Sequence, residues 1–148
     1  MARIVFEVDI AADAGPIVAA LDTQRGIASW WTEDVAFAGG VGSTMTLGFP
    51  TAPKPFALRV AQVDPERVRW ESVGDFPPHW VSTQIIWTLS SNPEGGTKVH
   101  FAHEGWADDS GPFPMAAFTW AHLLLMLKTY AETGQAAPCS ARPDGATG

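Results

Sequence analysis

Apolar and polar residues alternate from Arg3 to Ile10: Ile4, Phe6, Val8 and Ile10 stand against Arg3, Glu7 and Asp9. A period of two predicts a strand with one wet face. Asp13 then stands where a helix would be capped, and Pro16 falls in its first turn, where a missing N–H costs little. Ile17, Val18 and Leu21 give that helix a short apolar face. Thr23 is positioned to cap a second short helix ending at Trp30 and Trp31. From there to residue 106 the pattern is strand and turn. Candidate strands cover 33–37, 43–49, 56–63, 67–72, 81–89 and 98–104, separated by Gly39-Gly40, the loop 50–55 (PTAPKP), Asp64-Pro65-Glu66, the loop 74–79 (GDFPPH) and Asn92–Gly96. Short turns between successive strands imply an antiparallel meander. The break at 108–114 precedes a helix of about five turns running to Gly134, a residue suited to a helix C-terminus. Phe113, Ala116, Trp120, Leu123, Leu124, Leu127 and Ala131 form its broad apolar stripe. Residues 135–148 bury almost nothing and are expected to form a disordered tail.

The predicted class is α+β: a curved antiparallel sheet of about six or seven strands, two short helices after the first strand, and one long C-terminal helix. A single helix covers a band of about 10–12 Å, whereas seven strands at about 4.8 Å each make a far wider sheet. The hollow of the sheet is therefore either filled by large rings or left as a cavity. Seven tryptophans and eight phenylalanines stand beside one tyrosine; such rings fill a core or line an apolar pocket, and composition alone favours the core.

Charge and cysteine content narrow the partners. Nine basic and sixteen acidic residues give a net charge of −7. Without clustered Lys and Arg the chain lacks the footprint of a nucleic-acid binder, and an anionic membrane surface is disfavoured for the same reason. Cys139 is the only cysteine, so no disulfide framework and no cysteine zinc site can form within the chain. No apolar signal core opens the sequence, and the expected setting is cytoplasmic.

Three segments carry a family likeness. VDIAADAGPIVAALDTQRGIASWW, GGTKVHFAHEGW and WAHLLLMLKTYAETG resemble the SRPBCC (START-like) superfamily, and within it the AHSA-type group. The likeness rests on Trp30-Trp31, on Thr97 with His103 and Gly105, and on Trp120 with Leu124, Lys128, Tyr130 and Gly134. It covers about residues 3–134, and residues 1–134 are taken as one domain. It implies a helix-grip fold with a hydrophobic cavity between sheet and C-terminal helix. The superfamily includes lipid carriers, polyketide cyclases and plant hormone receptors, so the fold alone does not assign an activity.

The strand faces place Phe49, Trp70, Trp87 and Phe101 on the concave side, with Trp30 and Trp31 at one end and Trp120 and Leu124 on the facing helix. These residues and His103, which shares a face with Val99 and Phe101, are the expected ligand-binding set. Each ring is equally intelligible as plain core. A buried imidazole needs a hydrogen-bond partner: His103 is either a satisfied structural histidine or an anchor for a ligand carbonyl or hydroxyl. His100 lies on the opposite face of that strand and cannot share a metal with His103. No metal site, cofactor or catalytic residue is predicted. Glu71 and Glu104, beside Arg69 and Lys98, read as solvated. The two proline-rich loops, with Phe76 and Trp80, are candidates for a gate. On the long helix, Phe118, His122 and Leu125 lie opposite the core stripe and suggest a homodimer face. The expected function is binding of an apolar or aromatic small molecule. A cyclase or dehydratase using the same pocket, with Thr83 and Ser72 as helpers, and a protein-interaction module remain the alternatives.

Overall fold

A computed structural model describes residues 1–140 of the chain. The element order is β1 (Ala2–Ile10), α1 (Ala14–Asp22), α2 (Gln24–Trp30), β2 (Val35–Ala36), β3 (Thr44–Leu47), β4 (Phe56–Asp64), β5 (Arg67–Ser72), a 3-10 turn (Pro78–Trp80), β6 (Gln84–Ser91), β7 (Thr97–Trp106) and α3 (Phe113–Thr133). The strands form one curved antiparallel sheet in the order β1-β7-β6-β5-β4-β3-β2. The meander from β2 to β7 is closed by β1, which pairs with β7 along its whole length. Register shifts at Ala2/Arg3 and Val60/Gln62 are bulges of the kind that bend a strand. The α+β helix-grip architecture expected from the pattern is the one observed.

Rows of paired residues cross the concave face. One row runs Ile4–His103–Ile85–Trp70–Val60 and the next Phe6–Phe101–Trp87–Val68–Val63. The convex face carries exposed ion pairs: Arg3–Glu104 at 3.5 Å, Arg59–Glu71 at 2.7 Å, Arg69–Glu71 at 3.3 Å and Lys98–Asp9 at 3.1 Å. Such pairs add little stability. Glu104 takes Arg3 as its partner, and Lys98 takes Asp9.

Each short helix is fixed by a specific contact. Thr23 accepts from Gly26 N at 2.9 Å, capping α2 as expected. Asp13 occupies the cap position of α1 but makes no capping hydrogen bond. Trp30 Nε1 donates to Ala20 O at 2.8 Å, locking α2 to α1. The long helix α3 ends on Gly134 (φ 75°), whose N–H bonds Tyr130 O. Near that end, Lys128 Nζ donates to Asp9 O at 2.7 Å and to Glu132 Oε2 at 2.6 Å, while Ala11 N donates to the same Glu132 oxygen at 2.8 Å. These contacts tie the helix to the end of edge strand β1. They also hold the Glu132 carboxyl below the ordinary range, the Ala11 N–H first and the Lys128 ammonium second.

Three boundaries differ from the sequence pattern. The strand expected over 33–37 shrinks to Val35–Ala36. The strand expected from Val81 begins at Gln84, because Val81 is exposed and Ser82 takes a left-handed conformation (φ 68°) after the 3-10 turn. The tail is ordered further than its composition suggests. Ala137 N, Cys139 N and Ser140 N donate to Ser29 O, Trp30 O and Trp31 O, so residues 137–140 lie along the end of α2. The rest of the expected tail lies outside the described residues.

Gly26 gives a sharp test of this packing. Alanine in a helix normally stabilises relative to glycine by about 0.5–1 kcal/mol. A Cβ at Gly26 would stand 2.5 Å from Ala19 O and 2.6 Å from Ala20 Cα, both backbone atoms of α1. Gly26→Ala is therefore expected to destabilise the chain by at least about 2 kcal/mol in urea unfolding. A neutral or stabilising result would show that α1 and α2 can separate freely.

Candidate functional site

The concave face is mostly solid. Trp30, Trp70, Trp87 and Phe101 are fully buried and touch one another edge to face: Trp87–Phe101 at 4.9 Å, Trp70–Trp87 at 5.5 Å and Trp30–Trp87 at 6.0 Å between ring centroids. Trp120 of α3 inserts into this cluster, 4.5 Å from Phe101. Of the two alternatives for the hollow, filled by rings or left open, the middle of the sheet shows the first.

Space survives at one end. A groove of about 660 Å³ lies between the N-terminal half of α3, the β3–β4 loop and the 3-10 turn. Its floor is Trp31, Trp80 and Trp120, all buried. Trp31 lies 5.2 Å from Trp120, and Trp80 stacks on Trp120 at 6.3 Å and 19°. One wall is Phe49 to Ala52 with Phe56, and the other is Pro112, Met115, Ala116, Thr119 and Leu123. Phe56 links loop and turn, 4.9 Å from Phe49 and 5.0 Å from Trp80. His79 and Ser140 stand at the edges.

Of the nine residues expected to contact a ligand, Trp31, Phe49 and Trp120 line this groove. Trp30, Trp70, Trp87, Phe101, His103 and Leu124 do not; they are buried core beside or behind it. Strand alternation identifies the buried face but not which rings are the last before solvent. Phe56, Met115, Ala116 and Thr119 escaped the prediction. The signal present was the pair of proline-rich loops: residues 50–52 form a wall, and His79 and Trp80 adjoin the second loop. Phe76 packs on Phe56 at 5.5 Å, outside the groove lining.

His103 is fully buried and engaged through both nitrogens. Trp120 Nε1 donates to His103 Nδ1 at 3.1 Å. An indole nitrogen only donates, so Nδ1 is the acceptor and Nε2 carries the proton. That N–H donates to Thr83 Oγ1 at 2.9 Å, and the Thr83 hydroxyl donates to Trp80 O at 2.6 Å. The chain is therefore directional and closed. Burial, with the nearby His79 as the smaller cause, pushes His103 down to about 3, so the imidazole stays neutral at physiological pH. With no free nitrogen, His103 has nothing to offer a ligand in this arrangement.

The groove itself holds little acid–base chemistry. Its polar side chains are Thr51, His79, Thr119 and Ser140, with no carboxylate and no ammonium group. Desolvation holds His79 below its ordinary range. Thr83 is committed to the His103 chain, and Ser72 borders a separate polar notch with Glu71 and Glu104. Among the described residues, no group of three or more His, Cys, Asp or Glu could hold a metal ion, and no helix is long and apolar enough to cross a membrane.

The fold is a helix-grip of the SRPBCC type. An Aha1 protein of Colwellia psychrerythraea, solved in solution as a dimer, matches over 90% of this chain and 98% of its own, at 32% identity and a TM-score of 0.82. At that identity over nearly the whole of both chains, the protein belongs to the same family as that Aha1 protein. Two further structures share the fold. DynU16, a putative protein of the dynemicin biosynthetic locus, is 22% identical over 95% of this chain and 51% of its own (TM-score 0.74). CalU16 of Micromonospora echinospora is 14% identical over 92% and 77% (TM-score 0.69). No family model and no curated protein matches the sequence.

The depressed His103 makes stability depend on pH. The unfolded imidazole titrates near its ordinary value of 6.5 and the folded one at about 3. Below pH ~6.5 the unfolded chain binds a proton that the folded chain refuses, so stability falls with pH until about 3. Between about pH 7 and about pH 5 this amounts to about 2 kcal/mol. His103→Gln, which keeps one donor and one acceptor, is expected to remove that part of the pH dependence while His79 remains in both proteins. Urea unfolding at the two pH values measures the difference, and parallel curves for the two proteins would refute the assignment.

Proposed function

We propose that the protein is a non-catalytic binder of a flat, uncharged, largely apolar small molecule held in the groove beside Trp31, Trp80 and Trp120. One observation carries the reading: aromatic rings converge on an open space of about 660 Å³ whose lining has no carboxylate or ammonium group. That volume suits a small ligand, and a flat ring packs readily against the edges of aromatic side chains. Thr119, Thr51, His79 and Ser140 are placed to orient a single oxygen or nitrogen at the ligand's edge. An enzyme acting on a polyketide-like molecule would need a second convergent acid or base beside His79. The proline-rich loop walls suit a gate as well as a fixed rim.

A second copy of the chain is the proposed protein partner, through the α3 face carrying Phe118, His122 and Leu125. Two observations support it: Phe118 and Leu125 are 74% and 57% exposed, and the Colwellia relative was solved as a dimer. The single Cys139, unpaired and exposed, fits a reducing compartment, and the cytoplasm is the proposed setting.

The uncharged dye N-phenyl-1-naphthylamine tests the groove. Its fluorescence is expected to rise on binding while tryptophan emission is quenched. Ala116→Trp, which fills the groove from the helix wall, is expected to weaken dye binding by about tenfold, a change of about 1.4 kcal/mol, with the circular dichroism spectrum unchanged. No dye response, together with no ligand retained in native mass spectrometry of freshly purified protein, would end the small-molecule reading.

A further inference from the structure

We infer that two copies pair antiparallel along the outer face of α3 and that Leu125 of the second copy completes the rim of the groove, so that pairing and ligand binding strengthen each other. This rests on the small-molecule and two-copy readings above. The seam begins at Met115, which belongs both to the groove wall and to the exposed strip. Met115, Phe118 and Leu125 are 67%, 74% and 57% exposed, and His122 is exposed between the last two. The intervals of three, four and three residues place all four on one seam of the kind that packs helix against helix.

Charge selects a second copy as the occupant. The chain carries −7, so most of its surface repels another copy. From Phe113 to Leu127, α3 has no Asp, Glu, Lys or Arg. Its Lys128 and Glu132 are drawn towards β1 by the contacts to Asp9 O and Ala11 N. The stretch that would form the seam therefore sets no Asp, Glu, Lys or Arg of one copy against another.

The positions suit an antiparallel direction. Phe118 and His122 stand two residues either side of Trp120, and Met115 and Leu125 five either side. An antiparallel two-fold pairing centred there sets Phe118 against His122 of the other copy and Met115 against its Leu125. That leucine then abuts the groove wall from outside. Opposed helix dipoles favour the same direction.

The area fixes the strength. A helix of 21 residues is about 31 Å long, and a stripe about 10 Å wide gives about 300 Å² per copy. A standard stable interface buries about 800 Å² per partner. Pairing through α3 alone is therefore weak and concentration-dependent. A ligand spanning Met115 and the neighbouring Leu125 adds buried area, and linkage makes the effect reciprocal.

Two measurements test this. In a Cys139→Ser background, the double variant Met115→Cys/Leu125→Cys is expected to oxidise to a covalent dimer, whereas neither single variant does. Crosslinking of Met115→Cys alone would indicate a parallel pairing and overturn the register. Second, Leu125→Asp is expected to weaken N-phenyl-1-naphthylamine binding about fivefold at concentrations where the wild type is dimeric. Leu125 is absent from the lining of its own groove and stands exposed on the outer side of α3, so the effect is expected to arise across the pair. Unchanged dye affinity in Leu125→Asp would overturn the coupling and leave the groove standing. No dye binding by the wild type would remove groove and coupling together. Sedimentation showing only monomer at the highest soluble concentration would overturn the pairing.

Discussion

The hydrogen-bond chain Trp120–His103–Thr83–Trp80 sets the position of nearly everything else around the groove. It joins α3 to β7, passes to the residue before β6 and ends on the carbonyl of the 3-10 turn. Apolar burial supplies most of the attraction between helix and sheet: Trp120, Leu123, Leu124 and Leu127 are buried, each worth roughly 1.5–3 kcal/mol. Burial has no direction, however, and a rod can roll or slide on an apolar surface. The chain stops both motions, because a slip would strand a buried acceptor at a cost of about 1–3 kcal/mol. Lys128 and Glu132, held at Asp9 O and Ala11 N, give a second fixed point about 12 Å further along the helix. Two anchors on one rigid rod determine which side faces the groove and which faces out.

The same arrangement explains why the cavity lies at an end. A narrow helix cannot cover a seven-stranded sheet, and something must occupy the remainder. In the middle, Trp30, Trp70, Trp87 and Phe101 occupy it so fully that each is inaccessible. The deficit persists beyond Trp31 and Trp120, where the walls come from the β3–β4 loop and the 3-10 turn. The groove is thus a loop-built wall on a rigid aromatic floor. Shape can vary in the wall without disturbing the floor, which is where function-bearing variation is usually placed in a fold.

Most of the architecture was legible in the sequence because it is written in periods. Alternation at Arg3–Ile10 and at Thr97–His103 marks long strands, the stripe from Phe113 to Ala131 marks α3, and Thr23 and Gly134 mark helix ends. The parts that failed have no period. Val81 continues the alternation of β6 in sequence, yet Ser82 turns the chain out of the sheet. Residues 137–140 look unstructured by composition but are held through backbone N–H groups, which carry no side-chain signature. The groove lining was less legible for a related reason. Alternation separates inside from outside, whereas a groove lining depends on which inside residues have nothing in front of them. Trp31 and Trp70 stack at 6.2 Å, but only Trp31 lines the groove. His103 was recognised as a buried polar residue needing partners, but no sequence pattern connects it to Trp120, seventeen residues on, and Thr83, twenty residues back.

The chemistry of His103 bears on what the pocket can do. An imidazole with one nitrogen accepting, the other donating and its protonated form suppressed cannot exchange protons with a bound molecule without first breaking its own network. The polar investment of the core is therefore spent on orientation, and what is oriented is a helix with two apolar sides. Its inner side supplies Trp120 to the groove floor and its outer side leaves Met115, Phe118 and Leu125 in water. One helix on one sheet has no packing need for that second side, and polar residues there would cost the fold nothing. A strip that the fold does not require, on a helix whose rotation is fixed by a buried relay and which meets the groove at Met115, is what the proposed pairing of two copies would use.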